Sequence, residues 1–201
     1  MTVCIAAICS WLPGHLMIVG ASDRMLTAGD IQFEPPQQKI WQFNQKTVAL
    51  VAGDMPAQNA ICSAAHARFA LKPAGTVEEA ASVYADAFTA FRRKRAETKY
   101  LVPCGLDANS FIDRQLDMRP EVVADLTYNL QNGVQVEAEA IVAGIDSTGP
   151  HIFVVRDPGA EVLHLGRGLL HRRGVEAGIE HVVDGVSVDG LFVLRPDFED
   201  A

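Results

Sequence analysis

Hydrophobic and polar positions divide the chain into stretches of different period. Val3 to Cys9 is almost continuously apolar and rich in Val, Ile and Ala, the pattern of a strand buried on both faces. Pro13-Gly14 signals a turn and Leu16 to Ala21 a second strand, expected to pair antiparallel with the first and to carry Asp23 back towards Thr2. Pro35-Pro36 marks an extended loop. Lys39 to Phe43 and Thr47 to Ala52 read as strands around a tight turn at Asn44-Gln45-Lys46. The period then becomes helical. Gly53-Asp54 is a strand-to-helix junction, with Asp54 as N-cap, Pro56 in the first turn, and Ile61, Ala65 and Phe69 at helical spacing. A second helix opens on a capping box of Thr76 and Glu79, and Val77, Ala81, Tyr84, Phe88 and Phe91 mark its core face.

Residues 99–119 carry no clear period, and Pro103-Cys104-Gly105 suggests a loop. A short helix is expected over Glu121 to Leu130, followed by a turn at Asn132-Gly133. Val134 to Ile141 alternates as a half-exposed strand. Ile141 to Ile145, His151 to Arg156 and Glu161 to Leu165 give three more strand signals, separated by Ser147-Thr148-Gly149 and Asp157-Pro158-Gly159 as turns of an antiparallel meander. A short helix is expected at Gly174 to Val183 and a last strand at Leu191 to Leu194. Runs of strands and runs of helices predict an α+β protein with two antiparallel sheets covered by helices. There is no internal repeat, linker or second domain, so residues 1–201 are read as one domain.

Composition narrows the partners. The chain has 49% hydrophobic and 21% charged residues, values that argue against disorder. A net charge of −8 argues against nucleic acid or an anionic membrane as partner. The basic run Arg92-Arg93-Lys94-Arg95 closes a helix-like segment, where cations oppose the negative end of the dipole. Four cysteines (Cys4, Cys9, Cys62, Cys104) have no C-x-x-C spacing, so neither zinc nor a disulfide framework is expected, and Cys4 and Cys9 read as small buried hydrophobes. With no apolar run near ~18 residues and no secretory pattern, the expected compartment is the cytoplasm. The six histidines show no metal-ligand spacing, Ser10, Ser22 and Ser110 lack a G-x-S-x-G frame, and phosphate-binding glycine loops are absent. No metal or cofactor is expected.

The candidate chemistry lies at the start. Removal of Met1 before a residue as small as Thr2 leaves a β-hydroxyl and a free α-amine on one residue. Such an amine has a reference pKa of about 7.7–8.0 and is partly neutral at physiological pH, so the pair is a nucleophile with its own base. Around it stand Thr2-Val3, Ala21-Ser22-Asp23-Arg24, Thr27-Ala28-Gly29, Lys39-Ile40 and Ala52-Gly53. These pieces, in register, resemble the N-terminal half of proteasome β-subunits and of the simpler bacterial proteasome-like peptidases, within the N-terminal-nucleophile hydrolase superfamily. The only difference in length lies around Trp11 to Gly14, where a hairpin turn absorbs it.

The resemblance implies a four-layer αββα sandwich, with the nucleophile at one end of the packed sheets. It implies that Thr2 Oγ attacks an amide carbonyl, that Lys39 favours the developing alkoxide, and that Asp23 holds Lys39 charged. It gives the Gly53 N–H the oxyanion, and the backbone around Thr27 and Gly29 an extended peptide substrate. Asp184 and Ser187 match the supporting Asp-x-x-Ser in spacing. The family's Gly-Ser-Gly reads Gly166-Arg167-Gly168 here, Met25 replaces a common arginine, and the C-terminal third is shortened or diverged. The expectation is an N-terminal threonine peptidase acting as a homo-oligomeric ring, with an ATPase partner left open. The alternatives are an amidase acting on a small-molecule amide and a catalytically degenerate ring-forming structural subunit.

Overall fold

The computed structural model of the chain describes residues 4–12, 15–22, 26–28, 31–33, 39–156, 161–165 and 191–194. Strands β1 (Cys4–Leu12) and β2 (His15–Ser22) form the expected antiparallel pair, β3 (Leu26–Ala28) and β4 (Ile31–Phe33) form a small hairpin, and β5 (Ile40–Asn44) and β6 (Thr47–Gly53) flank a tight turn. Helices α1 (Met55–Leu71), α2 (Val77–Ala96), α3 (Ala108–Arg114) and α4 (Pro120–Asn132) follow. Strands β7 (Ala138–Asp146), β8 (Gly149–Arg156), β9 (Glu161–Leu165) and β10 (Leu191–Leu194) complete the described elements. The protein is thus mixed α and β, with two principal antiparallel sheets ordered β1-β2-β10 and β5-β6-β7-β8-β9.

The two sheets pack face to face because strand side chains alternate. Val48 and Leu50 of β6 and Ala143 and Ile145 of β7 meet Ile8, Ile18 and Phe192 of the smaller sheet. Ala49, Val51, Ala140 and Val142 point the other way and are covered by Ile61, Ala65 and Phe69 of α1 and Ala81, Tyr84 and Phe88 of α2. Burial on both faces, expected of Val3 to Cys9, is instead the property of β6. Ile5, on the face of β1 turned away from this core, is 58% exposed. The three-stranded sheet has the five-stranded one as packing partner on one side only among the described residues.

Other boundaries shift for local reasons. The strand signals at Val134–Ile141 and Ile141–Ile145 are one strand, β7, whose ladder begins only at Ala138. Burial already alternates from Val134, and a tight turn about Glu137, closed by the Ala138 N–H to the Val136 carbonyl at 2.8 Å, delays the pairing. Asp54 sits at the N-cap position of α1, but its side chain makes no capping bond and pairs with Arg95 at 3.3 Å. Thr76 does cap α2, accepting from the Glu79 N–H at 3.2 Å, while the Glu79 carboxylate turns to the Gly75 N–H at 2.7 Å. The stretch without clear period contains α3, started by a capping box between Asp107 and Ser110, after a π-turn at Glu97–Leu101 has prolonged α2. Helix α4 matches its expected position. The helix expected at 174–183 lies outside the described residues.

Candidate functional site

One end of the sheet sandwich gathers four strand ends. Cys4 opens β1 opposite Ser22, the last residue of β2. The Cys4 thiol lies 3.3 Å from the Ser22 hydroxyl and donates to the Val51 carbonyl of β6 at 3.6 Å. Val51 in turn donates its N–H to the Lys39 carbonyl at 2.9 Å, just before β5 begins. The start of β1, the end of β2, the start of β5 and the end of β6 therefore meet at one edge.

Lys39 is 5% exposed there. Lysine is almost never buried this far without compensating polar contacts, because desolvating an ammonium is costly.

Gly53 closes β6 with φ +107°, in the region that glycine alone enters freely. A β-carbon at this position would run into the Glu137 carbonyl oxygen, which also accepts the Asp54 N–H at 2.6 Å. Backbone direction alternates along β6. The Asp54 N–H turns to β7, whereas the Val51 N–H turns to the β5 side. Two residues beyond Val51, the Gly53 N–H faces the same side as Val51, past Lys39.

Among the described residues, Val51, two residues before Gly53, thus links the start of β1 to the backbone of Lys39. Thr27 lies in β3, paired with Gln32 across the hairpin. Thr2, Asp23, Gly29, Asp184 and Ser187 lie outside the described residues. Among the described residues no three His, Cys, Asp or Glu side chains are grouped to hold a metal ion, and no helix is long and apolar enough to cross a membrane.

A second polar cluster sits at the opposite end of β6. The Thr148 hydroxyl donates to Asp146 at 2.7 Å and lies 2.6 Å from His151 Nε2, beside a groove of about 720 Å³ lined by Thr76, Val77 and Asp146. Burial acts to raise the Asp146 carboxyl, but bonds from the Thr148 hydroxyl, the Val77 N–H and the Thr148 N–H, with His151 adding its charge, together hold it below the usual carboxylate range. An ionised Asp146 at 2.7 Å requires the single hydroxyl proton of Thr148, so His151 meets Thr148 as donor and does not act as its base. The cluster ties the β7–β8 turn to the start of α2, through Asp146 and the Val77 N–H at 3.1 Å.

Sequence reasoning missed Gln58. It is fully buried, donates through Nε2 to the Ala52 carbonyl at 2.8 Å and the Glu139 carbonyl at 2.9 Å, and accepts the Tyr84 hydroxyl at 2.6 Å. Its signal was present: Gln58, Ile61, Cys62 and Ala65 share the buried face of α1, so a polar residue interrupts an otherwise apolar stripe. No known protein-family profile matches the chain, and no curated protein matches it.

Proposed function

We propose that the chain is an N-terminal threonine hydrolase cleaving amide bonds, with the four-layer αββα sandwich of the N-terminal-nucleophile superfamily. The observation that carries this reading is that Val51, two residues before Gly53, accepts from the Cys4 thiol at the start of β1 and donates to the carbonyl of the buried Lys39. Thr2 stands two positions before Cys4 in the chain, which is what links this edge to the proposed nucleophile.

In the proposed reaction Thr2 Oγ attacks the substrate carbonyl and its proton passes to the α-amine, directly or through one water. The Lys39 ammonium stabilises the forming alkoxide, and Asp23 keeps that ammonium charged. The Gly53 N–H binds the oxyanion, a donor whose loss typically costs about 10²–10³ in rate. Collapse of the tetrahedral species, with the α-ammonium returning its proton to the leaving nitrogen, expels the amine and leaves a Thr2 ester, which water hydrolyses. Asp184 and Ser187 take the supporting role, and the backbone around Thr27 and Gly29 pairs with an extended peptide. A cytoplasmic homo-oligomeric ring is part of the proposal.

The absence of the serine at Arg167 and a C-terminal third that is shortened or diverged favour one other reading, a degenerate ring-forming subunit. Intact-mass analysis with a threonine-directed epoxyketone separates the two. A chain lacking Met1 that gains one adduct, abolished in Thr2→Ala, is expected. A chain that retains Met1 and never labels would replace the enzyme with the scaffold. Turnover of acyl-amides but not of peptides would move the substrate to a small-molecule amide.

A further inference from the structure

We infer that Gln58 and Tyr84 are positioning residues that hold the Ala52–Gly53 peptide in the orientation presenting the Gly53 N–H to the reacting carbonyl. The inference rests on the threonine-hydrolase reading and adds to it two side chains on α1 and α2, both outside the reacting centre.

The carbonyl of Ala52 and the N–H of Gly53 belong to one peptide unit. That unit is planar and trans, so its C=O and N–H point in opposite directions. Whatever fixes the Ala52 carbonyl therefore aims the Gly53 N–H. Gln58 Nε2 donates to that carbonyl at 2.8 Å and, with its second proton, to the Glu139 carbonyl at 2.9 Å, bridging β6 and β7 at the point where β6 ends.

The orientation of the Gln58 amide is itself fixed. Its Oε1 accepts the Tyr84 hydroxyl at 2.6 Å. The reverse placement would set Oε1 against two carbonyl oxygens that can only accept. Burial pushes the Tyr84 hydroxyl well above its usual range, beyond what the opposing Gln58 bond restores, so it remains a donor at every working pH. Gln58 and Tyr84 are both wholly buried, which removes water as a substitute partner.

Ala52 is paired with Glu139 at the last rungs of the β6–β7 ladder, and Gln58 reinforces that end, where Gly53 itself adds no restraint. At φ +107° a glycine has wide freedom, and concerted rotation about Ala52 ψ and Gly53 φ would turn the peptide over. The flipped peptide would present the Ala52 carbonyl where the oxyanion forms, opposing the negative charge that the N–H stabilises. Flipping requires breaking the Gln58 bond to Ala52 as well as the pairing of Ala52 with Glu139, and leaves a buried amide donor unpaired, which disfavours it.

The test uses the full-length protein, with Gln58→Met removing both donors at similar length and Tyr84→Phe removing the orienting hydroxyl. For Gln58→Met, kcat is expected to fall about 10- to 100-fold with KM nearly unchanged, and affinity for a peptide aldehyde, which forms a tetrahedral adduct, to fall in parallel. Tyr84→Phe is expected to lie between Gln58→Met and the parent, and it carries the test if Gln58→Met does not fold. The Gly53 amide nitrogen chemical shift, which senses the bonds made by the preceding Ala52 carbonyl, is the readout independent of turnover: a change there, with the other β6 and β7 amides retained, is expected in both variants. Parental kcat and aldehyde affinity in either folded variant, or a parental Gly53 amide shift, would overturn the lock while leaving the threonine-hydrolase reading intact. A parent that neither labels at Thr2 nor turns over any amide would overturn that reading and the catalytic use of the lock with it.

Discussion

Gly53 and Glu137 approach so closely that a side chain at the first would overlap the backbone oxygen of the second. The contact fixes where β6 must end, since the same oxygen holds the Asp54 N–H at 2.6 Å and so begins the passage into α1. Gly53→Ala meets both a positive φ and a backbone obstacle that cannot rotate away. A stability loss on the order of 1–3 kcal/mol is expected, read as a lower denaturant midpoint at unchanged m-value. A variant as stable as the parent would mean that the Val136–Ala138 turn moves aside freely.

Lys39 is buried, so its replacement must keep its volume if chemistry is to be separated from packing. Lys39→Met retains most of the length and removes the ammonium. The fold is expected to persist by circular dichroism, while amide turnover falls by more than about 10²-fold and Thr2 labelling slows. Parental turnover in a folded Lys39→Met would remove Lys39 from the site. Alanine there would confound the result by opening a cavity.

Asp146 makes stability depend on acid. Its folded pKa lies below the unfolded carboxylate value of about 3.9, so folding favours the ionised form. That contribution is present above the unfolded value and is lost as pH falls through the lower folded value. Asp146→Ala is expected to cost about 1–2 kcal/mol at pH 7, and its thermal melting point should converge on that of the parent towards pH 2. A gap independent of pH would show that the carboxylate charge is not what ties the β7–β8 turn to α2.

The cysteines differ in reactivity for a physical reason visible in the fold. Burial pushes the Cys62 thiol up to about 12, whereas Cys104 is exposed. Alkylation of the native protein at pH 8 should modify Cys104 readily and Cys62 only after denaturation, as followed by peptide mapping. Modification of both at equal rates would mean that α1 opens locally.

Most strands were legible in the sequence because apolar runs bounded by turn residues depend on near neighbours alone. The exceptions follow from what sequence period leaves out. The Val134–Ile145 stretch looked like two strands, yet both halves pair with β6 and β8 in one ladder. Residues 99–119 showed no clear period because α3 is short and packs on a small core of its own, with Leu101, Leu106 and Phe111, so no long stripe repeats. Asp54 had the right identity for a cap, but Arg95, distant in sequence, takes its carboxylate.

The candidate site divides in the same way. The register shared with the resembled family, and no local signature of any one residue, singled out Thr2, Asp23, Lys39 and Gly53. Only the tertiary structure decided that Lys39 is buried, that the Gly53 N–H faces its side of β6, and that Gln58 reaches back to the Ala52 carbonyl while Tyr84 orients it. Those relationships join β5, β6, β7, α1 and α2. A hydrogen bond between residues 26 positions apart, such as that from Tyr84 to Gln58, leaves no periodic trace in the chain, and exists only once helix and sheet have packed.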